Sequence, residues 1–244
     1  MSHFYVDPKN IQNNLFVMDK QQLHYIVNVR RFNINDEINL FDGLGNIFKG
    51  KITEISNNQL KGIILNKTVF TKPSVEVYLY CAIAKGERIE WLIEKAAEIG
   101  IIKFIPLITK RSVITSFSQN KYERYNKISL SASCQCGRAD IMKIEQPVLF
   151  EKALKTNIDK NSLSILAWES EDTKTIDDIY ADNKNIKKIN IFIGPEGGFE
   201  PAEIEIAKAN NLITVTLGKN ILRIETAALT ASVLVLNKWN KNES

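Results

Sequence analysis

A βαβ unit is encoded by residues 75–108, VEVYLYCAIAKGERIEWLIEKAAEIGIIKFIPLI. Val75 to Ala84 is almost wholly apolar, as in a strand that is buried on both faces of a parallel sheet. Apolar residues then recur at helical spacing, at Ile89, Leu92, Ile93, Ala96 and Ala97. Gly100 stands where a helix C-cap belongs, and Ile101 to Ile108 forms the next predicted strand.

The alternation of strands and helices continues toward the C-terminus and predicts an α/β fold with a mainly parallel sheet. Further strands are predicted at Leu163–Ala167, Ile189–Ile193 and Ile213–Leu217, and further helices near 121–136, 201–210 and 226–239. Pro201 suits a first helical turn. Ala227 to Trp239 is apolar on nearly every face as far as Asn237, so we expect this helix to be buried against the sheet or a partner subunit.

Residues 1–72 have a different pattern, typical of a small antiparallel β-barrel. Short strands are predicted at 38–40, 47–52 and 60–65, separated by Asn-, Gly- and Asp-rich turns. A short helix is predicted at 21–27. Thr71-Lys72-Pro73-Ser74 is the best candidate for a linker. The sequence therefore predicts two domains, 1–72 and 73–244.

The composition is that of a globular protein. Of the 244 residues, 44% are hydrophobic and 25% are charged, which excludes a mostly disordered chain. No apolar stretch approaches the roughly 18–20 residues needed to span a bilayer, and the N-terminus has no signal-peptide pattern. Three cysteines cannot form a disulfide framework, so a reducing cytoplasm is the expected location.

Charge is distributed unevenly along the chain. Residues 1–145 carry 20 Lys and Arg against 14 Asp and Glu, whereas residues 146–244 carry 12 against 14. A basic first half suits a protein that docks a polyanion there. Lys110, Arg111, Arg124, Lys127 and Arg138 are therefore either phosphate contacts or a solvated face.

Two glycine-bearing segments each follow a predicted strand and precede a predicted helix. The first is IGPEGGF at 193–199, and the second is LGKNILRIETA at 217–227. Ligands of open α/β sheets bind at the carboxyl ends of strands, so the two segments are predicted to wall one pocket. Neither matches the patterns for ATP or NAD phosphates. The alternatives are an ordinary glycine-rich turn and a surface ion pair between Arg223 and Glu225.

Metal binding and cysteine chemistry are not expected. His3 and His24 are the only histidines, and Cys134 and Cys136 form a CxC pattern without a second pair. A cysteine nucleophile would need a nearby histidine as its base. No metal site is predicted.

The two C-terminal segments resemble the RsmE family of ribosomal RNA small-subunit methyltransferases. The similarity extends over nearly the whole chain, through segments at 85–86, 94–100, 106, 111–113, 123–125 and 135–138, and in the first domain at His24, Arg30 and 41–43. It implies a PUA-like barrel followed by a SPOUT methyltransferase domain with a C-terminal trefoil knot. It also implies a homodimer, S-adenosylmethionine as cofactor, and methylation of uridine N3 in 16S rRNA.

Site residues follow from the resemblance together with the chemistry. Deprotonated uracil spreads negative charge over two oxygens, so catalysis needs a proton acceptor and positive charge. Arg223 is expected to stabilise that charge, and Glu196 or Glu225 to orient the substrate or accept the proton. The cofactor is expected to contact Leu166, Gly194, Pro195, Glu196, Gly197, Leu217, Gly218, Ile221, Leu222 and Thr226. The RNA is expected to contact Arg30, Arg111, Arg124, Gln135 and Arg138.

The chain departs from the family pattern at four positions, His3, Asn220, Cys136 and Met142. These put individual RNA contacts in doubt and leave the cofactor site unaffected. Two rival functions stay open. One is a SPOUT enzyme that methylates ribose 2′-OH, and the other is a non-catalytic RNA-binding factor in ribosome assembly. The intact 194–199 segment disfavours the second rival, and the predicted barrel with the 222–226 segment disfavours the first.

Overall fold

The structure, a computed structural model, describes residues 3–71, 73–83, 86–156 and 161–240. They form two compact units. The first unit contains the residues up to 71 together with Leu130–Ile141, and the second contains Pro73–Ser129 and the residues from Met142 onward. Three positions named above lie outside the described residues. They are Lys72 of the predicted linker, Ala84 of the predicted strand and Lys85 of the family pattern.

Within the described residues, six strands of the first unit form one sheet. Their bounds are β1 (Phe4–Tyr5), β2 (Ile11–Gln12), β3 (Leu15–Asp19), β4 (Glu37–Phe41), β5 (Asn46–Ile55) and β6 (Gln59–Val69). The order is β1-β4-β5-β6-β3-β2. The sheet is mixed rather than purely antiparallel, because β1 pairs with β4 in parallel. A short helix, α1 (Lys20–Leu23), continues as a π-helix over His24–Val29.

Phe16 fills the centre of the first unit. It is fully buried on β3, and its ring lies against Gly50 of β5 and Gly62 of β6. A side chain at either glycine would overlap the ring, so the two glycines make room for it. Leu40 packs beside the ring near Gly50. Burial of apolar surface around this ring therefore links three strands.

Residues 130–141 join the first unit through backbone pairing. The amide of His3 donates to the carbonyl of Cys134 at 3.1 Å, and the amide of Gly45 donates to that of Ala139 at 3.0 Å. Ile141 lies against Gly43, which has a φ of 74°. These contacts are distant in sequence, and hydrophobic periodicity does not reveal them.

The second unit is built on a parallel sheet. Its strands and helices are β7 (Glu76–Ala82), α2 (Arg88–Ile99), β8 (Lys103–Ile108), α3 (Gln119–Cys136, whose last turns belong to the first unit), β9 (Lys143–Ile144), β10 (Val148–Leu149), α4 (Phe150–Thr156), β11 (Leu163–Ala167), α5 (Ile176–Asp182), β12 (Lys188–Ile193), α6 (Pro201–Ala209), β13 (Ile213–Val215) and α7 (Ile224–Trp239). The strand order is β10-β8-β7-β12-β11-β13, with β9 beside β8.

Local chemistry explains where the helices begin and end. Gly100 ends α2 with a φ of 104°, a left-handed conformation that favours glycine. Pro201 opens α6, and Glu200 and Glu203 form a reciprocal capping box there. The α/β fold with a parallel sheet is therefore confirmed, and within the described residues no helix is both long enough and apolar enough to cross a membrane.

One face of α7 is buried as expected, against α2, α5 and the sheet. Ala228, Ala231, Val235 and Trp239 lie on this face. Val233 and Leu234 are instead 48% and 40% exposed. The helix therefore carries an apolar strip that the described residues leave exposed.

Candidate functional site

A cavity of about 420 Å³ opens at the carboxyl ends of three neighbouring strands of the second unit. Its wall comes from the loops that follow β11, β12 and β13, with residues 167–169, 193–199, 216–224 and Ala227. The two glycine-bearing segments do meet in this one cavity. A volume of this size is typical of a site for a small organic ligand.

The loop after β12, residues 194–199, is called the glycine loop below. The amide of Gly198 donates to the carbonyl of Pro195 at 2.9 Å and closes a turn. Gly198 has a φ of 68° there. A Cβ atom on Gly194 would lie 2.9 Å from the ring of Phe199, which is itself buried. The loop therefore needs glycine for its backbone conformation at one position and for space at another.

The loop after β11 is hydrogen-bonded to the end of β13 and to the loop that follows it. The amide of Trp168 donates to the carbonyl of Val215 at 3.1 Å, and the amide of Thr216 donates to that of Lys174 at 2.9 Å. Glu171 accepts a hydrogen bond from the Thr214 hydroxyl at 2.7 Å, and this bond comes first among those that lower the pKa of Glu171 to about 2. At a pH above 4.5, the ordinary pKa of this group, ionised Glu171 therefore stabilises the loop after β11. This contribution to stability is lost as the pH falls toward 2.

Two carboxylates lie near the buried end of β7. Burial raises the pKa of the Cys81 thiol, and the charges of Glu225 and then Glu196 raise it further. Atom Oε2 of Glu225 is buried and accepts no hydrogen bond from any described residue. Glu196 lies 3.9 Å from the guanidinium of Arg88. A buried carboxylate oxygen without a donor is costly, so Glu225 is available for a donor from a bound molecule.

Arg223 is an exposed cation on the cavity wall. Its backbone is extended at the N-cap of α7, and its carbonyl accepts the amide of Ala227 at 2.8 Å. Among the described residues, no ion pair joins Arg223 to Glu225. The alternative of a surface ion pair between them is therefore not observed.

Most of the residues expected at the cofactor site do line the cavity, namely Gly194, Pro195, Glu196, Gly197, Leu217, Gly218, Ile221 and Leu222. Leu166 is fully buried inside β11, and Thr226 is exposed on α7. Their neighbours Ala167 and Ala227 line the cavity in their place. Periodicity does not resolve such one-residue differences, because the direction of a side chain depends on where the strand or helix ends.

The residues expected at the RNA have different surroundings. Arg30 and Gln135 are exposed in the first unit. The side chain of Arg138 is only 10% exposed and makes two bonds of 3.0 Å to Asp140. The side chain of Arg124 is 65% exposed and lies 2.6 Å from Glu90. Arg111 contacts the glycine loop.

The four departures from the family pattern are dispersed. Met142 is fully buried, Cys136 is exposed, and Asn220 is an exposed part of the cavity wall. His3 is partly buried, and this burial lowers the pKa of its imidazole. Asn220 therefore lies at the cavity, whereas the sequence predicts that all four departures concern only RNA contacts.

Sequence reasoning missed Trp168 and Glu169, which line the cavity after β11. They directly follow a strand that the sequence does predict, so the rule on strand ends would have found them. Within the parts of the chain that the structure describes, no group of three or more His, Cys, Asp or Glu side chains is arranged to hold a metal ion.

Comparison with known families identifies two matching regions. The RNA methyltransferase domain matches residues 71–236, and the RNA methyltransferase PUA domain matches residues 19–65. Among curated relatives, ribosomal RNA small subunit methyltransferase E of Rickettsia conorii is 32% identical, over 94% of this chain and 93% of its own. The Bacillus subtilis protein of the same name is 30% identical, over 88% and 87%.

Solved structures show the same architecture. Ribosomal RNA small subunit methyltransferase E of Neisseria gonorrhoeae, bound to S-adenosyl methionine, superposes with a TM-score of 0.86 at 26% identity and covers 98% of both chains. A methyltransferase of Legionella pneumophila, in complex with the same cofactor, superposes with a TM-score of 0.78 at 26% identity over 97% of both chains. The PUA-like and SPOUT-type fold is thus confirmed. The chain belongs to the ribosomal RNA small subunit methyltransferase E family.

Proposed function

We propose that this protein transfers a methyl group from S-adenosylmethionine to N3 of a uridine in 16S rRNA of the small ribosomal subunit. The observation that carries the proposal is the single cavity formed by the two glycine-bearing loops in a chain of this family. Since the matched relatives are bacterial rRNA methyltransferases, we place the reaction in the cytoplasm. The C-terminal trefoil knot implied by the resemblance stays a prediction.

The cavity fits S-adenosylmethionine in size and in chemistry. The cofactor carries a sulfonium cation and a flat aromatic adenine, and the wall offers carboxylates at Glu169 and Glu196 beside apolar Leu217 and Leu222. Apart from Gly218 and its two chain neighbours, no described residue has an atom within 4 Å of a Cβ built on Gly218, so the wall has open space there. The orphaned oxygen of Glu225 adds an acceptor next to the lining residue Ile224.

When bound, S-adenosylmethionine supplies an electrophilic methyl group. The chain must then make uracil N3 nucleophilic by removing its proton and stabilising the anion. Arg223 offers an exposed guanidinium on the cavity wall to the negative charge on the uracil oxygens. Glu225 or Glu196 accepts the N3 proton. A paired base is inaccessible, so the uridine enters unpaired or flipped out.

The proposed function is tested by incubating the protein with labelled S-adenosylmethionine and small ribosomal subunits in a metal chelator. Mapping the modified nucleoside should find one N3-methyluridine in 16S rRNA. A label on ribose 2′-OH would support the rival SPOUT enzyme. Saturable RNA binding without methylation would support a non-catalytic assembly factor. Activity that requires added zinc or magnesium would contradict the metal-free site.

A homodimer is the second proposal, because Val233 and Leu234 form an uncovered apolar strip on α7. Sedimentation should give about twice the chain mass of 27.7 kDa. Leu234→Lys should shift the protein toward monomer, since it would bury a charge in the interface. Ala209→Lys, at an exposed position of α6, places the same charge outside α7 and is the control. A stable, active wild-type monomer at micromolar concentration would contradict the proposal.

RNA docking by the first unit is tested at Arg30, the exposed arginine of the π-helix C-cap. Arg30→Ala should weaken RNA binding and lower the slope of log affinity against log salt by about 0.7–0.9, the value for one phosphate contact. Affinity for S-adenosylmethionine should stay unchanged. Lys49→Ala, which removes a cation already paired with Glu37 at 2.6 Å, is the control. An unchanged salt slope in Arg30→Ala would show that Arg30 makes no contact with an RNA phosphate.

A further inference from the structure

The glycine loop is held by a side chain from the end of another strand. Arg111 follows β8, and its guanidinium donates a 2.5 Å hydrogen bond to the carbonyl of Gly197. Its Nε atom lies 3.8 Å from the carboxylate of Glu200. A Cβ atom on Gly197 would lie 3.3 Å from Cδ of Arg111, so the aliphatic stem also lies against the loop. The resemblance predicts an RNA contact for Arg111, and the contacts that the structure shows for its side chain are with the glycine loop and with Glu200.

The backbone beside Arg111 is fixed by a buried carboxylate. Glu203 is 4% exposed. One of its oxygens accepts the amide of Lys110 at 3.0 Å, and the other accepts the amide of Glu200 at 2.9 Å. A single side chain therefore sets the spacing between the turn after β8 and the start of α6. The Ser112 hydroxyl, which accepts the amide of Thr109 at 2.9 Å, closes that turn.

The peptide between Gly197 and Gly198 is the element that needs fixing. Two successive glycines have many accessible backbone conformations, and ordering them is costly. The amide of Gly198 is held by Pro195, and the carbonyl of Gly197 is held by Arg111. Without the arginine, among the described contacts, only the amide side of this peptide keeps a partner.

We propose that Arg111 and Glu203 are positioning residues that pre-organise the glycine loop for S-adenosylmethionine. Glu203 sets the register of Lys110, and Arg111 then reaches the Gly197 carbonyl and locks the peptide plane. A pre-organised loop binds more tightly because less ordering remains to be done on binding. The inference rests on the proposed use of S-adenosylmethionine, and it assigns Arg111 to the cofactor side of the reaction rather than to RNA.

The test is calorimetric titration with S-adenosylmethionine in the absence of RNA. Arg111→Ala should raise the Kd about tenfold, the usual size for a partly exposed hydrogen bond to a charged group. The Arg111→Lys variant keeps the charge without the fork and should recover part of the affinity. In methylation assays the KM for S-adenosylmethionine should rise by a similar factor, with kcat at saturation within about twofold of wild type.

A double-mutant cycle with Glu203→Gln tests the coupling. Glutamine keeps the shape of the side chain but has only one acceptor oxygen, whereas the amides of Lys110 and Glu200 each need one. The Kd of Glu203→Gln for S-adenosylmethionine should therefore also rise. The double variant should lose less than the product of the single effects, because both residues act on one peptide. Lys238→Ala, which removes an ion pair of 2.8 Å with Asp177, is the control and should bind like wild type.

The outcomes separate this inference from the proposed function. If wild type fails to bind S-adenosylmethionine, the function is wrong. If wild type binds and Arg111→Ala binds within twofold of it, the positioning role is overturned. Loss of RNA affinity with an unchanged cofactor Kd would likewise overturn it and return Arg111 to the RNA. If Glu203→Gln does not fold, as a melting curve would show, the two Arg111 variants decide alone.

Discussion

Gly194→Val is expected to abolish measurable S-adenosylmethionine binding. A Cβ atom at this position would lie 2.9 Å from two ring atoms of Phe199. The ring is 3% exposed and packs against Phe150 with centroids 5.3 Å apart, so it has little room to retreat. Overpacking of this kind typically costs about 1–3 kcal/mol in a core, and here the displaced atoms form the cavity wall. Calorimetry measures the binding, and a melting curve measures the stability.

Graded variants separate crowding from general unfolding. Gly194→Ala should weaken binding by at least about tenfold, and adding Phe199→Leu should restore part of it by giving the new methyl group space. In Gly197→Ala the new methyl group would contact only the flexible side chain of Arg111, so cofactor binding should be weakened less than in Gly194→Ala. Normal cofactor affinity in Gly194→Val would mean that the cavity is not the cofactor site.

Turnover should fall by about 10²–10³ in Arg223→Ala, the usual loss when one donor to a developing negative charge is removed. The side chain is exposed at the N-cap of α7, so the fold and the affinity for S-adenosylmethionine should stay close to wild type. Single-turnover methylation of small subunits measures the chemical step. Lys219→Ala removes another exposed cation of the same wall and tests whether any positive charge suffices.

Wild-type turnover in Arg223→Ala would show that this cation does not contact the reacting base. Arg223→Lys refines the assignment, because lysine keeps the charge but loses the planar fork that can reach two oxygens. A partial recovery with lysine would indicate that charge matters more than geometry.

The sequence predicts the second unit well where local patterns decide the structure. The strand at Leu163–Ala167 has the predicted bounds, and Gly100 and Pro201 mark a helix end and a helix start as expected. The strand predicted to reach Leu217 ends at Val215, because the amide of Thr216 bonds to Lys174 in another loop. Long-range contacts of this kind leave no periodic signal.

In the candidate site, too, the features set by local sequence are predicted and those set by long-range contacts are not. The glycine-rich segments that follow β12 and β13 predict the cavity, because ligands of parallel sheets bind at the carboxyl ends of strands and few residue types other than glycine allow the turns found there. The partners of those glycines do not follow from the sequence, because Arg111 reaches Gly197 through a tertiary contact between residues 86 positions apart. Short elements such as α4 and α5 are also missed, since seven residues give too little periodicity.

The membership of residues 130–141 in the first unit bears on how this architecture is inherited. The unit is discontinuous along the chain, since it needs both the first 71 residues and a segment that begins 59 positions later. A recombination event that transferred only the N-terminal gene segment would leave behind the backbone partners of His3 and Gly45. An exchange that kept the first unit intact would therefore have to transfer two separate gene segments, the one for the N-terminal residues and the one for Leu130–Ile141.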